Sequence, residues 1–71
     1  MPSPRVPRNP NLTDREHEIL KLLCAGLTRK QIAARFTVSP ATINTHIVNL
    51  RAKLHAETTY QAVAFYYRDY L

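Results

Sequence analysis

Thr28-Arg-Lys-Gln-Ile-Ala-Ala-Arg-Phe-Thr-Val-Ser-Pro-Ala-Thr-Ile-Asn-Thr-His-Ile-Val-Asn-Leu-Arg-Ala-Lys-Leu54 is the stretch that decides the fold. It reads as two short helices joined by a tight turn. Thr28 and Gln31 have the spacing of a capping box, in which each side chain meets a free backbone N–H. Leu27 before that cap and Ile32 inside it form a hydrophobic staple. Ala33 supplies the small inward residue that a close helix crossing needs, and Phe36 continues the inward face. Thr37-Val38 is the turn, and Thr37 stands where such turns often carry glycine. Ser39 is the next N-cap, with Pro40 at the first helical position, where its missing N–H costs nothing. Val38 and Ile43 form a second staple. Ile43, Ile47, Leu50 and Leu54 then recur at i, i+4, i+7 and i+11 as one apolar stripe. His55 is predicted to end this helix.

Outward from this stretch the chain is equally punctuated. Thr13 and Glu16 form a capping box for a first helix, and Ile19, Leu20, Leu23 and Leu27 recur at helical spacing. Gly26, the only glycine, sits where that helix needs a left-handed stop. Asp14, Glu16 and Glu18 suit the positive end of its dipole. A fourth helix is predicted from Thr58 or Thr59, with Thr58 and Gln61 spaced as another capping box, to about Tyr70. No alternating strand pattern competes, so the fold class is all-α, a four-helix bundle containing a helix-turn-helix. Residues 1–11 hold Pro2, Pro4, Pro7, Pro10, Arg5 and Arg8. They read as an extended basic linker or tail, the remnant of an upstream connection or a phosphate-contacting arm. Residues 12–71 form the domain.

A chain of 71 residues holds one domain. Such a domain buries only about 60% of its unfolded surface, and many of this size gain stability by pairing. Net charge is +5, which favours nucleic acid or an anionic surface as partner. Between Glu18 and Glu57 there is no acidic residue at all. The single cysteine, Cys24, allows no internal disulfide, fits a reducing compartment and reads as a small core residue. The N-terminus has no apolar signal segment and no run approaches a membrane span, so a cytoplasmic protein without membrane contact is expected. His17, Cys24, His46 and His55 lack metal-ligand spacing. His46 lies at the edge of the apolar stripe and reads as structural first, a phosphate contact second. No nucleophile–base pair, carboxylate pair or glycine-rich loop is visible, so neither enzyme, cofactor nor metal is expected.

Four blocks of this chain resemble the LuxR/GerE-type helix-turn-helix domain. Leu12-Thr13-Asp14-Arg15-Glu16-His17-Glu18-Ile19-Leu20 is similar to that family's L-T-x-R-E-x-E-V-L opening. Gly26-Leu27-Thr28-Arg29-Lys30-Gln31-Ile32-Ala33 resembles its G-x-S-N-K-E-I-A. Ser39-Pro40-Ala41-Thr42-Ile43-Asn44-Thr45-His46 resembles S-x-x-T-V-K-x-H, and Asn49-Leu50-Arg51-Ala52-Lys53-Leu54 resembles N-I-x-x-K-L. The blocks stand in order from Leu12 to about Phe65. Sigma-factor region 4 opens similarly but fits the later blocks less well. The resemblance implies a winged-helix-like transcription-factor domain from a bacterial regulator, double-stranded DNA as partner, helix 3 in the major groove and a dimer contact on helix 4. RNA polymerase is a further expected partner, and nucleoid association follows when DNA is bound.

The residues themselves agree on helix 3. With its apolar stripe inward, Ala41, Asn44, Thr45, Val48 and Asn49 face out as base-reading candidates. Asn44 and Asn49 offer paired donor and acceptor groups to adenine, while Thr45 and Val48 suit a thymine methyl. Phosphate contacts are expected from Thr28, Arg29, Lys30, Thr42, Arg51 and Lys53. For Lys30 that role is what the resemblance implies; capping is the plainer role of Thr28 and Thr42. Arg15 and Arg35 read as surface charges. Helix 4 is aromatic on more than one face, and Val63, Tyr66, Tyr67 and Tyr70 are the expected homodimer interface. The chain departs from the family pattern at Asn44 and Val48, where relatives carry more basic residues, and at Glu57-Thr58-Thr59, where relatives often carry arginine. A second reading follows from those departures: an interaction module that pairs through helix 4 with a larger relative and modulates it.

Overall fold

The computed structural model describes residues 11–70, and of Tyr70 the backbone alone. The linker reading of residues 1–10, and Leu71, lie outside the described residues. Four helices follow one another: α1 Asp14–Cys24, α2 Arg29–Phe36, α3 Pro40–Lys53 and α4 Thr59–Tyr70. No strand occurs among the described residues. The fold is all-α, and α2, its turn and α3 make the helix-turn-helix.

Each helix starts where its cap chemistry says it should. The Thr13 hydroxyl accepts from Glu16 N–H at 3.1 Å, and Thr13 N–H donates to Glu16 Oε1 at 2.9 Å. Thr28 and Gln31 repeat this pair at 3.2 and 2.8 Å. Ser39 Oγ accepts from Thr42 N–H at 3.2 Å, with Pro40 at the first helical position. The fourth start differs from the expected reciprocal box. Thr58 Oγ1 accepts from Gln61 N–H at 3.0 Å, but the Gln61 carboxamide reaches past Thr58 to Glu57 N–H at 2.7 Å.

Three helices stop in the same way. A residue in the left-handed region follows each, and the next N–H turns back to a carbonyl five residues earlier. Those bonds are Leu27 N–H to Leu22, Val38 N–H to Ala33 and Ala56 N–H to Arg51, at 2.9–3.1 Å. The left-handed residues are Gly26 at φ 96°, Thr37 at φ 58° and His55 at φ 55°. Glycine accepts that conformation freely. A β-branched threonine does not, and the left-handed region costs an L-residue roughly 1–2 kcal/mol. The turn of the helix-turn-helix therefore carries local strain that the rest of the fold must offset.

Packing joins the helices in two close pairs, α2 on α3 and α1 on α4, while α3 touches all three others. Its stripe Ile43, Ile47, Leu50 and Leu54 is 0–1% exposed. Burial of side chains this size stabilises by roughly 1.5–3 kcal/mol each. Ile19, Leu20, Ile32, Ala33, Ala56 and Ala62 complete the core, with Leu27, Phe36, Cys24 and Phe65 packed at its edge. Val38, expected to staple to Ile43, stays 40% exposed. Burial pushes the Cys24 thiol up and keeps it protonated.

Tyr66 corrects an expectation. It is 1% exposed, buried in the core rather than offered to a partner. Ala62, fully buried one turn earlier, sets the rotation of α4 that turns Tyr66 inward. The Tyr66 hydroxyl lies 3.1 Å from His17 Nδ1, and the two rings stack tilted at 5.6 Å. A buried phenol needs such a polar partner.

Glu16 is the one buried charged residue of the described core, at 3% exposure. Its carboxylate takes Thr13 N–H and the Lys53 ammonium, the latter at 2.7 Å. Burial pushes this carboxyl up. The Lys53 and Thr13 hydrogen bonds outweigh it, and the net position lies below the ordinary value of 4.5.

Candidate nucleic-acid interface

The outer side of α3 presents what its inner side hides. Ala41, Asn44, Thr45, Val48 and Asn49 are all exposed, Val48 to 52%. Ala52, also exposed, extends the row and was not among the expected residues. Its signal was available: Ala41, Thr45, Val48 and Ala52 repeat the i, i+4, i+7, i+11 spacing of the buried stripe. At 3.6 residues per turn these four stand on the pole opposite Ile43, Ile47, Leu50 and Leu54. Asn44 flanks this ridge on one side and Asn49 on the other. The Thr45 hydroxyl donates back to the Ala41 carbonyl at 3.1 Å. It is left with an acceptor and a methyl group to show outward.

The expected phosphate-contacting residues separate into free and tethered groups. Lys30 is exposed at the first turn of α2. Arg29 beside it is exposed and donates to Thr59 Oγ1 at 2.9 Å, tying the start of α2 to the start of α4. The Thr28 hydroxyl is engaged as the cap, and the Thr42 hydroxyl lies 3.1 Å from Ser39 Oγ. Arg51 is half-buried and donates to the Glu57 carbonyl. Lys53 holds Glu16 and donates to the Asn11 carbonyl at 3.2 Å. Its ammonium thus works inside the fold, bridging α3 to α1. Sequence spacing alone does not reveal that, because Glu16 lies 37 residues away.

Arg29, Lys30 and Arg51 line an open groove of about 740 Å3 together with Leu23, Leu27, Thr58, Thr59, Tyr60 and one acid, Glu57. No acid stands on α2 or α3. Arg15, expected as a surface charge, stacks its guanidinium 4.1 Å over the Phe36 ring. On α4, Tyr60 is 88% and Tyr67 64% exposed, and Val63 is half-buried. Among the described residues no group of three or more His, Cys, Asp or Glu is placed to hold a metal ion. No described helix is long and apolar enough to cross a membrane.

A family model described as bacterial regulatory proteins, luxR family, matches residues 10–66. The chain belongs to this luxR family. The family is one of DNA-binding transcriptional regulators rather than of enzymes. This luxR-family domain is 39% identical over 59 residues to a nitrate/nitrite response regulator protein homolog of Haemophilus influenzae. It is 44% identical over 54 residues to the DNA-binding transcriptional activator DevR/DosR of Mycobacterium tuberculosis. The first alignment covers 83% of the chain and the second 76%. The chain spans only 28% and 25% of the length of those two curated relatives. Among solved structures, the response regulator ChrA of a heme-sensing two-component system superposes with a TM-score of 0.76 at 37% identity. That match covers 80% of the luxR-family domain and 28% of ChrA.

Proposed function

We propose that this luxR-family domain binds double-stranded DNA sequence-specifically, with α3 seated in the major groove. The observation that carries the reading is the continuous, exposed, acid-free row on α3, directly opposite the stripe that anchors the helix. A groove walled by phosphates repels acids and admits one helix. Asn44, Thr45, Val48 and Asn49, with Ala41 and Ala52, then meet base edges. Lys30 and Arg29, with Thr28 and Thr42, meet phosphates and set the docking register. Arg51 supports the groove beside them. Lys53 is assigned to the fold instead. In a two-fold dimer through α4, with Val63, Tyr67 and Tyr60 at the contact, the recognition helices would stand roughly 34 Å apart on an inverted repeat.

Fluorescence anisotropy of the chain against duplexes drawn from a randomised pool tests this reading. The expected result is enrichment of a discrete sequence and affinity that falls steeply with salt. Lys30→Ala should weaken all sequences alike and flatten the salt slope by about one. Binding no tighter than non-specific at low salt would sink the proposal. A second reading is favoured by the exposed Tyr60 and Tyr67: α4 pairs the domain with a larger luxR-type regulator and modulates it. Loss of that regulator's DNA binding on mixing, with no duplex bound by the chain alone, would select this second reading.

A further inference from the structure

The row that faces out from α3 holds no cation, and its make-up limits which base pairs it can read. Guanine is most often read by arginine or lysine, forked onto its O6 and N7 acceptors. On this helix both bases are drawn to the flanks. Arg51 is turned to the Glu57 carbonyl and Lys53 to Glu16. His46 is half-buried, on the inner side of Asn49. The pole of the row is instead a ridge of methyl groups: Ala41, Thr45, Val48 and Ala52. The Thr45 hydroxyl proton is spent on the Ala41 carbonyl, so Thr45 cannot donate it to guanine N7 or O6. What remains is apolar carbon along the centre and a carboxamide on either side. Thymine is the base whose major-groove edge carries a methyl group, and adenine is the base that a carboxamide matches with two hydrogen bonds.

We infer that α3 selects A·T-rich half-sites, through methyl contacts of Thr45 and Val48 with thymine and carboxamide contacts of Asn44 or Asn49 with adenine. This inference rests on the DNA-binding reading and adds the sequence class to it. A methyl ridge gains by excluding water from the thymine methyl, about 0.8 kcal/mol per buried carbon, or roughly a fourfold change in affinity. A pair of good carboxamide bonds to adenine adds discrimination of about fivefold or more.

The test uses the 71-residue chain and the duplex it enriches most from a randomised pool. Each thymidine is replaced in turn by deoxyuridine, which removes only the methyl group. Each guanosine is replaced in turn by its 7-deaza analogue, which removes only the N7 acceptor. At one or two thymidines per half-site the loss should be about fourfold, and 7-deazaguanine should be tolerated throughout. Val48→Ala should abolish the deoxyuridine penalty at one of those positions. Thr45→Val keeps the methyl and should bind as the parent does, whereas Thr45→Ser keeps the hydroxyl and should bind more weakly. These positions are exposed, so the variants are expected to fold, and a thermal melt checks that.

Specific binding that depends on guanine N7 and ignores the thymine methyl would overturn the inference and leave the DNA-binding reading intact. So would a deoxyuridine penalty that survives Val48→Ala together with Thr45→Ser. Enrichment of no sequence at all would overturn both.

Discussion

One helix carries two rows of four side chains at the same spacing, and they meet opposite fates. On the inner side of α3, Ile43, Ile47, Leu50 and Leu54 are buried to within 1%. On the outer side, Ala41, Thr45, Val48 and Ala52 are exposed. Periodicity alone treats the two rows as equals. Size separates them: the inner row is large and aliphatic, and the outer row is small or short-branched. The inner row holds the helix in place and the outer row is free to vary, so the proposed sequence preference can change with little cost to stability.

That contrast is broken most sharply at adjacent positions. Ile47→Ala should destabilise by about 2–5 kcal/mol, because it leaves a cavity at a position that is 1% exposed in the core. Val48→Ala, one residue on, should change stability by no more than about 0.5 kcal/mol. Urea denaturation of the two variants reads the difference directly, and equal losses would mean that α3 is rotated from the orientation described.

Lys53 sharpens the contrast, since it is a cation on the flank that serves the inner side. Lys53→Met should cost about 1–3 kcal/mol by stripping the buried Glu16 carboxylate of its ammonium. The effect depends on pH with a definite sign. The Glu16 carboxyl is held below its ordinary value of 4.5, so its contribution is complete above that pH. It is lost as pH falls through the lowered value in the folded state. Melting temperature recorded from neutral to acid pH should therefore fall less steeply for Lys53→Met than for the parent. An identical acid limb would remove Lys53 from that role.

Thr37 tests the joint between the helix-turn-helix elements without touching either row. Thr37→Gly should stabilise by about 1 kcal/mol, because glycine enters the left-handed region without the steric cost. Thr37→Ala should leave stability nearly unchanged. Arg15→Ala, which removes the stack over Phe36, should cost about 0.5–1 kcal/mol in a thermal melt.

The starts of the helices were legible because capping chemistry is local: a threonine or serine whose hydroxyl accepts the N–H three residues on marks each of them. The inner row of α3, and Ala41, Thr45 and Val48 of the outer row, were legible from equally local periodicity, while Ala52 was passed over. Three features were not. Tyr66 and Tyr67 are neighbours of the same type, and only the contact of Ala62 with the core decides which one turns inward. Lys53 and Glu16 meet across α1 and α3, and nothing near either residue announces the other. Thr37 and His55 were placed at helix ends, but nothing in the sequence marks their left-handed backbone as glycine marks it at Gly26. Each miss is a case in which distant packing, rather than neighbouring residues, makes the choice.

The two helix pairs also differ in the sign of what they carry. α2 and α3 hold Arg29, Lys30, Arg35, Arg51 and Lys53 and no acid, while on α1 and α4 the acids Asp14, Glu16, Glu18 and Asp69 slightly outnumber Arg15, Lys21 and Arg68. The domain is therefore an electric dipole, with its positive pole toward the proposed reading side. Near a polyanion such a body feels a torque before it feels a contact. It turns α2 and α3 forward within about one Debye length, some 10 Å at 0.1 M salt. Fewer encounters are then wasted on the wrong side, so the capture rate gains from the placing of acids as well as from the number of bases.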